Sequence, residues 1–228
     1  MEGIPMSFNI AIDGPAGAGK STIAKALAKK LGFIYVDTGA MYRAIALHML
    51  RNGVDIQNQD AVSQNCENVD VSISYENGEQ QVLLNGENVN AFIRTEEVSH
   101  TASVTSAHKA VRAKLLELQQ GLAAKCDVIM DGRDIGTCVL PNADLKIYLT
   151  ASVDARAKRR YDEYIAKGMD CNLEEIKKEI AERDYRDMNR EEAPLKQAED
   201  AVLLDSSDMT VEEVIGAMMD LHENKVKN

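Results

Sequence analysis

Apolar positions along the chain recur at two spacings, one of strands and one of helices. Phe8–Asp13 is a short apolar run rich in isoleucine, as a buried strand requires, and it leads straight into a glycine-rich segment. Beyond that segment Ile23, Leu27 and Leu31 recur every four residues and Gly32 follows as a stop, predicting a helix over Ser21–Leu31. Phe33–Asp37 predicts a second buried strand. Helical spacing resumes over Ala40–Arg51 through Ile45, Leu47, Met49 and Leu50, and Gly53 ends it.

The texture changes near Asn68. Val69, Val71, Ile73 and Tyr75 alternate at period two, Asn77-Gly78 follows as a hairpin turn, and Gln81–Leu84 leads into a second Asn85-Gly86 turn. This predicts a small antiparallel meander within a span of roughly Asn65 to Ala91. Such an insert is either a decorated crossover loop or a flap over a ligand. Helical pattern returns from Thr95 to Lys125, and strands follow at Asp127–Asp131 and Leu145–Thr150. Two helical stretches, Val153–Lys167 and Leu173–Arg190, precede a last strand at Ala201–Asp205 and a closing helix from about Thr210 to His222. Five short apolar strands mostly separated by helices predict an α/β fold with a five-stranded parallel sheet covered on both faces. Ligands of such sheets bind at the carboxyl ends of the strands.

Composition narrows the function classes. With 228 residues, 26 basic and 37 acidic side chains, the net charge is −11. That argues against a non-specific binder of nucleic-acid polymers, which needs a basic footprint, but leaves room for a small basic pocket. No apolar stretch is long enough to span a membrane. Met1–Phe8 lacks a basic segment followed by a long apolar one, so secretion is not expected. Met6 and Met1 are both acceptable starts. The four cysteines Cys66, Cys126, Cys138 and Cys171 form no close pair with metal-ligand spacing, which favours reduced thiols in the cytoplasm over disulfides or a zinc site. No heptad or large apolar stripe is evident, which points to a monomer.

The chemistry starts at Gly14-Pro15-Ala16-Gly17-Ala18-Gly19-Lys20-Ser21, followed by Thr22, a match to G-x-x-x-x-G-K-[ST]. Glycines let successive backbone N–H groups point inward at phosphates, and the helix that follows aims its positive N-terminus at the same place. Lys20 can reach the β- and γ-phosphates, and the Ser21 hydroxyl is placed to ligate Mg²⁺. About 0.005 chance matches are expected in a chain of this composition, and this one lies between a predicted strand and a predicted helix. A nucleoside triphosphate site is the reading.

Such loops serve GTPase switches, motor ATPases and kinases of small molecules. A guanine-reading N-K-x-D segment is lacking, since the only Asn-Lys pair is Asn224-Lys225, followed by Val226-Lys227. A transferase needs a second anionic pocket, and the arginines are where to look. Arg43 follows the second strand and Arg133 stands just beyond the strand ending in Asp131. Arg183, Arg186 and Arg190 alternate with Asp184 and Asp187, with Arg183/Asp187 and Arg186/Arg190 spaced i, i+4. Composition alone favours a solvated helix striped with salt bridges. Yet Arg186 and Arg190 repel unless an anion lies between them, and guanidinium forks suit phosphate oxygens. Asp131 could contact Mg²⁺ through water, orient Arg133, or cap the following turn. Tyr42 packs against an acceptor or joins the core.

Taken together, the GPAGAGKST loop, DTGAMYR, IRTEEV, DGRDIGT and ERDYRDMNR resemble, in order and approximate spacing, the bacterial type of cytidylate kinase. The resemblance runs from about residue 8 to 222. It implies the nucleoside monophosphate kinase fold: a P-loop core (6–64, 92–152 and 191–228), an acceptor-binding β insert (65–91) and a helical lid (153–190), together one kinase unit. It implies ATP and CMP or dCMP as small-molecule substrates, Mg²⁺ with ATP, and transfer of the γ-phosphoryl group to the acceptor. By the same resemblance Gly14 to Thr22 bind ATP, and Lys20, Arg133, Arg183 and Arg190 are catalytic. Arg43, Arg133 and Arg190 clamp the CMP phosphate, Thr38 joins the CMP site, Asp187 contacts the ribose, and Ser103, Arg112 and Asp134 read cytosine. A carboxylate at Asp134 accepts from the cytosine N4 amino group and disfavours the uracil carbonyl. Arg156, Arg159, Arg160, Arg183 and Arg186 are candidates to cover the transferred group as the lid closes. The runner-up is a P-loop kinase for another small acceptor such as UMP. A non-catalytic ATP-binding switch that uses the meander as a partner surface is a third possibility.

Overall fold

A computed structural model describes residues 7–227; the choice between Met1 and Met6 as start lies outside the described residues. The element order is β1 (Asn9–Asp13), α1 (Lys20–Leu31), β2 (Ile34–Asp37), α2 (Thr38–Arg51), α3 (Gln59–Glu67), β3 (Val71–Glu76), β4 (Glu79–Leu84), β5 (Glu87–Asn88), α4 (Glu96–Thr105), α5 (Lys109–Ala123), β6 (Val128–Gly132), a π-helical turn (Ile135–Val139), β7 (Leu145–Thr150), α6 (Val153–Ala166), α7 (Leu173–Asn189), β8 (Val202–Asp205) and α8 (Val211–Val226). The expected five-stranded parallel sheet is present, in the order β2-β6-β1-β7-β8, and the meander forms a separate three-stranded sheet, β3-β4-β5. Contacts divide the chain into two units: Ser7 with 34–128, and 8–33 with 129–227.

In the second unit the central strands are mostly apolar, because a parallel strand covered on both faces has no solvent side. Ile10, Ile12, Ile129, Met130, Ile147 and Leu149 are all fully buried. β1 runs beside β7 with Ile10 opposite Leu145 and Asp13 opposite Tyr148, and β7 runs beside β8 from Ile147 opposite Val202 to Thr150 opposite Asp205. α1 buries the face carrying Ile23, Ala24, Leu27 and Ala28 and stops at Gly32, whose φ of 73° is left-handed. α8 starts with a full capping box between Thr210 and Glu213 and buries Val214, Ile215 and Met218. α6 and α7 pair around Ala157, Ile176 and Ile180, with Tyr161, Tyr164 and Leu173 against them.

In the first unit α2 buries Met41, Ile45 and Met49, and α5 contributes Val111 and Leu115. β3 and β4 form the expected hairpin, registered from Val71 opposite Leu84 to Glu76 opposite Glu79. Its Asn77-Gly78 turn has φ of 52° and 78°, and Asn85-Gly86 has 50° and 84°, the positive pair that a tight right-twisted hairpin demands. Gln80 of β4 ties this sheet to β2 twice: its Oε1 accepts from Asp37 N at 2.9 Å and its Nε2 donates to Asp37 O at 3.2 Å.

Three features depart from the sequence pattern. The helix expected over Thr95–Lys125 is two helices, broken at Ser106–His108, where His108 takes the N-cap position of α5 and its Nε2 lies 3.1 Å from Ile56 O. α3 was not expected, since only Val62 and Cys66 of its residues are buried and two apolar positions make no periodic signal. Arg190 does not continue α7: its φ of −67° and ψ of 145° are extended, three residues before Ala193 at φ 46° and the chain-stiffening Pro194. Arg186 and Arg190 therefore do not share a helix face.

Candidate active site

The loop from Gly14 to Gly19 joins β1 to α1 within the second unit, and Lys20, Ser21 and Thr22 form the first turn of the helix. Gly14, Gly17 and Gly19 have φ of 151°, 76° and 87°, so the loop's curl uses backbone states closed to most side chains. Lys20 is buried, and its Nζ donates back across the loop to Pro15 O at 2.7 Å. Ser21 Oγ donates to Asp131 Oδ2 at 2.8 Å, from the end of β6. Of the roles open to Asp131, this bond places it beside the phosphate loop. Its partner lies 110 residues away in sequence, which no local pattern could have disclosed.

A second cluster occupies the same unit. Arg133 donates from Nε to Asp187 Oδ2 at 2.8 Å, and Arg190 Nη2 lies 3.5 Å from Asp134 Oδ1 while its Nε and Nη2 also hold Ala193 O. Asp134 and Asp187 are both buried. Burial alone would raise the Asp187 carboxyl, but Arg133, bonded to it, with Arg183 and Arg190 brings it below the usual range. Lys20 feels this cluster: burial first, then repulsion from Arg133, lowers its ammonium well below the usual value, against the pull of Asp131, Asp13 and Asp187. A buried lysine and an arginine that repel one another form a cationic focus, and a bound polyanion relieves both burial and repulsion.

Arg156 takes a role the sequence did not suggest. It is buried and forks onto Asp184 of α7 at 3.0 and 2.6 Å, while Nη1 also donates to Ala16 O of the phosphate loop at 2.9 Å. This seats the loop against α6 and α7 instead of presenting a free fork. Arg159 is likewise held on Ser206 O, and Arg160 lies 4.0 Å from Glu179.

Asp13, the last residue of β1, carries no sequence signal of its own. Its two carboxylate oxygens accept from Ile135 N and Gly136 N, each at 2.7 Å. Burial pushes its pKa up to about 6, opposed by those two N–H groups and raised further by the Asp134 charge. A carboxyl whose folded value exceeds the unfolded one contributes most favourably below about pH 4. That contribution is lost as pH rises through 6. Asn cannot titrate, so the stability of Asp13→Asn relative to the parent should improve by about 2 kcal/mol between pH 4 and pH 7. Urea unfolding at both pH values checks this; a pH-independent difference would contradict it.

The remaining expected acceptor residues lie in the first unit. Thr38 is buried at the start of α2, and Arg43, one turn on, donates from Nη2 to Asp37 Oδ2 at 3.1 Å. Arg94 of the IRTEEV segment reaches the same carboxylate at 3.4 Å. Arg112 lies over the Tyr42 ring at 5.8 Å, which places Tyr42 as a platform for a guanidinium. Arg43 Nε and Ser103 Oγ are buried without a hydrogen-bond partner among the described residues. Orphaned buried polar atoms of this kind are what a polar ligand satisfies.

The family description "Cytidylate kinase" matches residues 10–224. A cytidylate kinase of Listeria welshimeri is 50% identical over 220 residues, covering 96% of this chain and 97% of that one. One from Lactobacillus johnsonii is 46% identical over 227 residues, covering 100% and 99%, and one from Bacillus cereus is 49% identical over 214 residues, covering 94% and 95%. With a phosphate loop, a carboxylate bonded to its serine and an arginine–aspartate cluster beside its lysine, the chain belongs to the cytidylate kinase family.

Proposed function

We propose that the protein transfers the γ-phosphoryl group of ATP to CMP, giving ADP and CDP, with dCMP as a second acceptor. The observation that carries this is the glycine-rich loop with buried Lys20 and the Ser21–Asp131 bond in the same unit as the Arg133–Asp187 pair, a cluster suited to a second phosphate. Membership of the family and near-full-length relatives named for this activity support the acceptor. A UMP kinase is disfavoured by the same relatives.

The acceptor phosphate is already an anionic nucleophile, so no strong general base is required; catalysis is in-line positioning and neutralisation of repelling phosphates. Backbone N–H groups of Gly14–Gly19 hold the triphosphate, Lys20 holds its β/γ end, and Arg183 faces the transferred group. Arg43, Arg133 and Arg190 clamp the CMP phosphate, Asp187 takes the ribose, Thr38 joins them, and Ser103, Arg112 and Asp134 read cytosine. Mg²⁺ is the expected cofactor. The oxygen donors Ser21 and Asp131, bonded to each other at 2.8 Å, fit a hard cation that takes most of its ligands from water and phosphates. Bound there with ATP, it would neutralise phosphate charge. The paired helices within 153–190 are assigned as the lid, whose closure excludes water. The four free cysteines suit a reducing cytoplasm, and a monomer remains the expected state. Among the described residues no helix is long and apolar enough to cross a membrane.

Asp134→Ala tests the base reading. The preference for CMP over UMP, as a ratio of kcat/KM, should fall by about 10- to 100-fold, because N4 loses its acceptor. An unchanged ratio would remove Asp134 from cytosine recognition.

A further inference from the structure

Asp13 lies outside every role assigned above, yet it is among the most constrained polar groups in the protein. Its main chain cannot drift: it ends a buried strand registered against β7 at Tyr148, and the next residue, Gly14, is pressed so tightly on β7 that an added Cβ would lie 1.9 Å from Leu149 O. From this anchor the carboxylate reaches across to two consecutive N–H groups, Ile135 and Gly136, at 2.7 Å each. Those N–H groups open the π-helical turn Ile135–Val139, where they have no partner within the turn itself. The turn closes on the residue before it: Cys138 N and Val139 N both donate to Asp134 O, at 2.8 and 3.1 Å.

Asp134 thus lies between two fixed points. Its backbone, at φ −147° and ψ 26°, belongs to no regular element; its carbonyl is held by the turn, and Asp13 holds the N–H groups that follow it. Gly136 fits closely as well, since a Cβ there would come within 3.3 Å of Asp13 Oδ2 and 3.1 Å of Lys146 Cδ. Lys146 does not neutralise Asp13, because its ammonium goes to Pro141 O and Asp200. The charged groups that Asp13 does feel are Asp134 and Lys20. A buried carboxylate beside a second carboxylate is an expensive way to cap a turn, and a serine or asparagine would satisfy one N–H at lower cost. What only a carboxylate provides is two equivalent acceptors that hold both N–H groups at once.

We infer that Asp13 is a positioning residue for acceptor recognition: by fixing the two N–H groups that follow Asp134, it sets the direction of the Asp134 carboxylate and joins the start of the phosphate loop to the base-reading turn. This rests on the reading of Asp134 as the cytosine contact. Asp13 touches neither nucleotide itself. In Asp13→Asn the side-chain amide faces one of the two N–H groups donor to donor, so the turn must shift.

The test is a double-mutant cycle on wild type, Asp13→Asn, Asp134→Ala and the double variant, with kcat/KM for CMP and UMP and the KM for ATP measured at pH 7.5. Asp13→Asn should lower the CMP/UMP preference by about tenfold, chiefly through the KM for CMP, and leave the KM for ATP within about twofold. Added to Asp134→Ala, it should change the preference by less than about twofold, because the group it positions is gone. Equal losses for CMP and UMP, an equal rise in the KM for ATP, or full additivity in the double variant would overturn the inference and leave Asp13 a structural cap. If Asp134→Ala lowers the preference while Asp13→Asn does not, the inference alone fails. If Asp134→Ala leaves the preference unchanged, the base reading fails and the inference with it. Should Asp13→Asn not melt cooperatively, Asp13→Ser enters the same cycle with the same expected outcomes.

Discussion

Lys20→Ala should lower kcat for phosphoryl transfer by about 10³-fold or more, the scale seen when a charge that neutralises a transferring phosphoryl group is removed. Lys20 is buried at the mouth of the loop, and its charge is destabilised there by burial and by Arg133. That destabilisation is the property to exploit. A charge that costs free energy without ligand gains most when a polyanion arrives, so binding and chemistry lose a term larger than an exposed lysine would supply. The same reasoning predicts that the variant keeps its fold. One hydrogen bond to Pro15 O is lost, but so is a buried charge that burial and Arg133 destabilise more than the nearby carboxylates restore, and the ligand-free melting temperature should stay level or rise. A steady-state assay paired with a thermal melt separates the outcomes. A large drop in both activity and melting temperature would mean that Lys20 is structural.

Gly14→Ala should be the most damaging single methyl in the molecule, at more than about 3 kcal/mol of lost stability. Two costs coincide. The φ of 151° is closed to an L side chain, and the added Cβ would lie 1.9 Å from Leu149 O and 3.0 Å from Leu149 C. Both atoms are main chain of β7, paired on either side with β1 and β8, so they cannot give way as a flexible side chain would. For a chain of this size the melting temperature should fall by more than about 6 °C. Gly32→Ala is the control: its φ of 73° is also left-handed, but nothing lies within 4 Å, so about 1 kcal/mol is expected. Equal losses at the two sites would show that backbone conformation, not the contact with β7, is the dominant cost at Gly14.

How far the sequence could be read follows from how local each signal is. The phosphate loop, the two Asn-Gly turns and the strand Leu145–Thr150 are written in consecutive residues, and the structure places them as expected. The break at Ser106–His108 was not legible, because apolar spacing runs through it, His108 makes no side-chain cap, and its ring contact is to Ile56, far earlier in the chain. The π-helical turn has no period to detect in five residues. At the site, residue types announced a nucleotide, but partnership did not show. Ser21 with Asp131, Arg156 with Ala16 O, and Asp13 with Ile135 and Gly136 each join segments more than 100 residues apart. Arg156 read as a candidate to cover the transferred group because a run of arginines gives no hint which one is buried against an aspartate. The roles come from resemblance to a family; the contacts between distant segments come from the fold alone.

The cationic focus around Lys20 and Arg133 should accept CMP as well as ATP. Its most direct test is the initial rate of ADP formation by the purified protein with magnesium and ATP, across CMP, dCMP, UMP, AMP and shikimate, with the products identified. CMP should have the highest kcat/KM, dCMP should follow, UMP should be at least about tenfold poorer, and CDP should accumulate in step with ADP. Preferred turnover of UMP, AMP or shikimate, or nucleotide binding with no CDP formed, would contradict it.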